Sequence, residues 1–121
     1  METRPVVLIV EDDANIRKLL QYILKQFPVE TACASTIAEA DSVVERTTIS
    51  MAFVDYMLPD GMSSALVGRI KSKNPARVTM LTARGEASVR AECLEHGCDD
   101  YILKPFSVKQ IESSVRSLIC S

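Results

Sequence analysis

Short, continuously apolar runs alternate along the chain with longer segments whose apolar residues recur every three to four positions. Val6 to Val10 is apolar throughout, the pattern of a strand covered on both faces. Ala14 to Gln26 follows, with Ile16, Leu19, Leu20, Ile23, Leu24 and Phe27 at helical spacing until Pro28 stops the run. Val29 to Ala34 reads as a weaker strand, polar enough for a sheet edge. Thr36 and Glu39 form a capping box that opens a helix to about Arg46. Met51 to Val54 is a third strand, with Asp55 at its end. Beyond a loop containing Pro59, Asp60 and Gly61, a helix spans about Ser64 to Lys73 and closes at Asn74-Pro75. Val78 to Thr82 is the fourth strand, and Ala87 to Glu95 the fourth helix, with Gly97 as its C′ residue. Tyr101 to Lys104 is the fifth strand; Pro105 breaks it, and Ser107 with Gln110 caps a last helix ending near Ile119.

Strands and helices that alternate in this way imply an α/β fold: a parallel sheet, helices on both faces, right-handed crossovers. All strand C-termini then lie along one edge, where open sheets of this class bind their ligands.

A chain of 121 residues fits one domain, read here as 1–121. Its 47% hydrophobic and 25% charged residues exclude a disordered chain and a fibrous repeat. The net charge of −2 gives no bulk attraction for nucleic acid or anionic lipid. The densest basic stretch, Arg69 to Arg77, spreads four cations over nine residues. Cys33, Cys93, Cys98 and Cys120 lack both C-x-x-C spacing and a histidine-rich context, and are expected to be buried or half-buried reduced thiols. The start of the chain is polar and its first apolar run too short for a signal peptide or a membrane span, so a cytoplasmic location is expected.

The acids are less evenly spread than the total suggests. Set aside Glu11, Asp12, Asp13 and Asp55, and the remainder is net positive. Glu11 to Asp13 follow the first strand, Asp55 ends the third, Thr82 the fourth and Lys104 the fifth, so all should meet at the ligand-binding edge. Asp13 also suits the N-cap of the first helix. Carboxylates held close together need a compensating cation, and an oxygen-only donor set suits Mg²⁺ before Zn²⁺. Such a site can hold a phosphoryl group between metal, Lys104 ammonium and Thr82 hydroxyl, with Asp55 placed as nucleophile to form an aspartyl phosphate.

With Leu8 to Arg17, Phe53 to Pro59, Leu81 to Ala83 and Tyr101 to Phe106 in view, the whole chain resembles the receiver domain of two-component response regulators. The resemblance implies a flavodoxin-like, doubly wound (βα)5 fold with strand order 2-1-3-4-5. It implies that Asp55 accepts a phosphoryl group from a histidine kinase or a histidine phosphotransfer protein. Asp12 would bind Mg²⁺ directly, Glu11 mainly through water, and Asp55 and the Met57 backbone carbonyl would complete the protein ligands. Thr82 and Lys104 would contact the phosphoryl oxygens, Tyr101 would be the aromatic switch residue, and Lys104-Pro105 would be a cis bond. Catalysis would be limited to the domain's own phosphotransfer and dephosphorylation. The fourth helix, fifth strand and fifth helix would carry the signal to an output domain or partner, or form a homodimer, through Ala91, Leu94, Val108, Ile111 and Val115 unless these pack on the sheet.

Departures from the family pattern are Ser63, where a glycine is common, and Met57 and Arg84, at positions that tune phosphate lifetime. The output, the cognate kinase and whether the domain stands alone or is part of a larger regulator are not encoded in these motifs. The alternative function is a receiver-shaped interaction module that works without phosphorylation. A flavodoxin-type carrier is disfavoured by three acids where a phosphate loop belongs. A haloacid-dehalogenase-like phosphatase is disfavoured by Met57 where a second aspartate is needed.

Overall fold

The computed structural model describes residues 4–119. Five strands, β1 (Val6–Val10), β2 (Glu30–Ala34), β3 (Met51–Asp55), β4 (Arg77–Thr82) and β5 (Asp100–Leu103), alternate with α1 (Ala14–Leu24), α2 (Ile37–Arg46), α3 (Ser64–Lys73), α4 (Ala87–Glu95) and α5 (Val108–Ile119). The strands form one parallel sheet in the order β2-β1-β3-β4-β5. This is the doubly wound arrangement expected, with the polar β2 at one edge and β5 at the other. A two-residue antiparallel ladder, Met57 and Leu58 against Gly61 and Met62, lies outside this numbering and was not foreseen.

The uninterrupted apolar run of β1 follows from two covered faces. Val7 and Ile9 join Phe53 and Leu81 beneath α1 and α5, packing on Leu20, Ile23, Ile111 and Val115. Leu8 and Val10 join Val54 and Met80 on the other face, against Val44, Leu66, Ile70 and Val89 of α2, α3 and α4. Alternate residues of one strand thus serve two separate cores, the period of two intrinsic to a pleated backbone. Ile111 and Val115 are therefore core residues, not part of an outward face; Leu94 and Val108 remain exposed, as does Ala91.

The end signals are mostly as expected. Asp13 caps α1, accepting from the amides of Asn15 (2.8 Å) and Ile16 (3.2 Å). Ser107 and Gln110 bond reciprocally at the start of α5 (2.8 and 3.2 Å). Gly97, at φ 100°, ends α4 with its own amide on Leu94 O and the Cys98 amide on Cys93 O. The box at α2 is only half formed. Glu39 N–H donates to Thr36 Oγ1 (3.1 Å), but the Glu39 carboxylate takes the amide and hydroxyl of Ser35. Asp60, from the distant loop, supplies the other acceptors by taking the Ile37 and Ala38 amides. The helix is thereby tied to the loop that follows β3.

All four cations of the Arg69–Arg77 stretch are neutralised: Arg69 by Asp41, Lys71 by Asp99, Lys73 by Glu45 and Arg77 by Asp100. No helix among the described residues is long and apolar enough to cross a membrane. Cys93 and Cys98 are buried and Cys33 half-buried, all three as free thiols; Cys120 lies outside the described residues. Burial, and next the charge of Cys98, push the Cys93 thiol up to about 11, and burial raises Cys98 as well. In a Cys33→Ser, Cys120→Ser background at pH 8, the remaining two thiols are expected to react at least about a hundredfold more slowly folded than in urea. Equal rates would contradict this packing.

Candidate functional site

Because the strands are parallel, the sheet delivers its polar strand ends to one edge. Glu11 leaves β1 with its amide on Ala34 O (3.0 Å), and Arg17 Nη1 donates to the Glu11 carbonyl (2.8 Å), so the turn is fixed from both sides. Asp55 is the last residue of β3, paired in register with Leu81. Lys104 follows β5 directly, its amide on Thr82 O at 2.7 Å. The Lys104-Pro105 bond is cis, as the resemblance implied.

Lys104 Nζ bridges two carboxylates, donating to Glu11 Oε1 at 2.5 Å and Asp55 Oδ2 at 3.1 Å. Glu11 is 1% exposed and Asp55 8%, while Asp12 stands open to solvent. Oxygens of Glu11, Asp12 and Asp55 lie within 4.8 Å of one another. Residues from three strand ends, up to 93 positions apart, thus meet in one pocket.

The electrostatics of this cluster are strained in a consistent direction. Burial, then the hydrogen-bonded Asp55 carboxyl, raise Glu11 above its ordinary value, against the opposing pull of Lys104. Burial alone would lower Lys104, but its hydrogen bond to Glu11 and the charge of Asp55 more than reverse this and hold the ammonium above its ordinary value. Three carboxylates against one ammonium leave two negative charges uncompensated when all are ionised. A hard divalent cation fits that deficit and the all-oxygen donor set, with Glu11, Asp12 and Asp55 able to hold it.

Thr82 is buried, and its hydroxyl accepts the Arg84 amide at 2.9 Å, so it is engaged with its own loop. Tyr101 is half-buried: its hydroxyl donates to the Arg84 carbonyl, and the Arg90 guanidinium sits 5.7 Å from its ring centre. Both residues are therefore tied to the segment between β4 and α4. Met57 lies two residues past Asp55 in the short ladder, its side chain exposed and its sulfur 3.9 Å from Arg84 Nη1.

Ser63 replaces a common glycine without backbone strain, at φ −95°. Its hydroxyl is spent on the carbonyls of Asp55 (2.5 Å) and Tyr56 (3.2 Å), leaving α3 without a side-chain cap. The left-handed conformation falls instead on Gly61, at φ 133°. Neither Ser63's anchoring of the acceptor loop nor the Asp60 cap was legible in advance, because both depend on where the loop folds back.

The fold and this acidic, lysine-bridged edge define the response regulator receiver domain. The family model of that domain matches residues 7–116, and the chain belongs to this family. It is 34% identical over 116 residues to the phosphate regulon transcriptional regulatory protein PhoB of Escherichia coli K12, covering 93% of this chain and 51% of that protein. It is also 34% identical to the transcriptional regulatory protein SrrA of Staphylococcus aureus, with 93% and 47% covered. Among solved structures, a response regulator receiver domain protein (CheY-like) from Methanospirillum hungatei JF-1 superposes with a TM-score of 0.89 at 25% identity, over 95% of this chain and 93% of that one. The chain spans about half the length of the curated relatives it matches.

Proposed function

We propose that the chain is a phosphorylation-switched receiver in which Asp55 takes a phosphoryl group from a histidine kinase or histidine phosphotransfer protein. The observation that carries this is the Lys104 ammonium bridging Glu11 and Asp55 beside an open Asp12. A carboxylate oxygen of Asp55 attacks phosphorus, the bond from phosphorus to the donor's imidazole nitrogen breaks, and the electron pair leaves with the nitrogen. Glu11, Asp12, Asp55 and the Met57 carbonyl would hold Mg²⁺, which supplies charge compensation for the incoming group. Lys104 then exchanges carboxylate partners for phosphoryl oxygens, and Thr82 gives up the Arg84 amide to donate its hydroxyl. Beyond this self-directed transfer and its hydrolysis, the domain catalyses nothing.

The new group adds roughly −1.5 to −2 charges, which favours the arrangement with Thr82 drawn in. Release of Arg84 frees the Tyr101 hydroxyl, and the signal reaches the surface of α4, β5 and α5 as a population shift. Exposed Leu94, Leu103 and Val108 on that surface would meet an output domain or a second copy. Since the curated relatives are transcriptional regulators about twice as long, we place the output in gene regulation, with DNA contacted by another domain. Incubation with acetyl phosphate and Mg²⁺ should add one phosphoryl group per chain by intact mass, and none when EDTA removes the metal. No uptake with Mg²⁺ would favour an interaction module that works unphosphorylated.

A further inference from the structure

The segment between Asp55 and α3 is joined to α4 by a contact that the phosphoryl-transfer reading does not use. Tyr56, the residue after the acceptor, is 2% exposed, and its hydroxyl lies 3.2 Å from both the Met62 sulfur and Glu92 Oε1, the stronger acceptor of the two. The other carboxylate oxygen of Glu92 accepts the hydroxyl of Ser64, the first residue of α3. One side chain of α4 thus grips both ends of the acceptor loop.

The weight of this contact follows from how little else seats α4. Only Val89 and Cys93 of its nine residues are buried, and its N-cap Glu86 makes no side-chain cap bond. Arg90 leans on the Tyr101 ring, and two residues further on Glu92 projects from nearly the opposite side of the helix. The helix is therefore braced by Arg90 towards β5 and by Glu92 towards the acceptor loop. The brace coexists with an Arg84 main chain held at both ends, its amide on Thr82 Oγ1 and its carbonyl on the Tyr101 hydroxyl, so that β4, β5 and the segment before α4 are locked together in the same arrangement.

We propose that Glu92 is a positioning residue which, through Tyr56 and Ser64, holds α4 in the unphosphorylated arrangement and so restrains phosphoryl uptake at Asp55. This rests on the phosphoryl-transfer reading. A contact present in one of two states biases the population towards that state, so its removal enlarges the competent fraction.

The test is the initial rate of labelling by acetyl phosphate with Mg²⁺, together with hydrogen exchange of the α4 amides, in wild type, Tyr56→Phe, Glu92→Ala and the double variant. Each single change is expected to speed labelling about three- to tenfold and to speed α4 exchange. The double variant should be no faster than Glu92→Ala, because that change already removes the hydrogen bond that Tyr56→Phe deletes. Tyr56→Phe deletes a single oxygen and keeps the packing; a merely loosened fold would lower the urea midpoint without accelerating labelling. Unchanged or slower labelling, or effects that multiply in the double variant, would overturn the brace while wild-type labelling preserves the parent reading. A wild type that takes up no phosphoryl group would overturn both.

Discussion

Asp55→Asn will take up no phosphoryl group from acetyl phosphate under conditions where the wild type gains one, and it will remain folded. Asparagine keeps the shape of the side chain but offers an amide in place of the attacking carboxylate oxygen. Its position at the end of β3 is set by backbone pairing with β4 and by the Ser63 hydroxyl on its carbonyl, neither of which depends on the carboxylate. The change also removes one of the groups that raise Glu11. A raised carboxyl holds its proton longer in the folded chain than in the unfolded one. Wild-type stability in EDTA should therefore fall as pH rises through the window just above 4.5, the ordinary value for Glu11. In Asp55→Asn this fall should be smaller, giving a urea midpoint at pH 7 equal to or above that of wild type. Phosphoryl uptake by the variant, or a collapse of its midpoint, would contradict this account of the site.

Lys104→Ala is expected to slow labelling by at least about a hundredfold and to destabilise the chain by about 2 kcal/mol. The two effects have one cause. The ammonium now satisfies a carboxylate that is 1% exposed and is the cation best placed to meet phosphoryl oxygens. Without it, Glu11 keeps its burial and loses its partner. The Lys104 contribution has its own pH signature, because its folded value lies above the ordinary 10.5. The stability it gives is complete below 10.5 and disappears as pH rises through the folded value. Lys109→Ala, an exposed change on α5, serves as the control and should alter neither quantity. Initial labelling rates and urea midpoints of the three proteins decide the matter; a Lys104→Ala protein labelling at the wild-type rate would remove Lys104 from the chemistry.

The strand ends could be located from sequence because burial on both faces writes a strand as an unbroken apolar run, as in Val6 to Val10 and Met51 to Val54. Parallel connectivity then places Glu11, Asp55, Thr82 and Lys104 at one edge without knowledge of the side chains, and Lys104 does meet Glu11 and Asp55. What escaped was the geometry of loops. The acceptor loop closes into a two-residue ladder, turns at Gly61 and sends Asp60 across to α2. The Asp60 bonds join residues 22 and 23 positions apart and leave no local pattern. The same holds for Ser63, legible only as a departure from glycine until its hydroxyl is seen on the carbonyls of Asp55 and Tyr56. For Ile111 and Val115 the sheet-packing alternative holds; in sequence, an α5 stripe that packs on the sheet looks the same as one that awaits a partner, and the structure separates the two.

Phosphorylation would place a covalent bond between phosphorus and the Asp55 carboxyl. Treatment with acetyl phosphate and Mg²⁺, followed by borohydride, converts an aspartyl phosphate to homoserine and marks its position for peptide mass spectrometry. The mark is expected at residue 55 alone and only when both donor and metal are present; a mark at residue 11 or 12, or none in a chain whose mass has risen, would contradict the account.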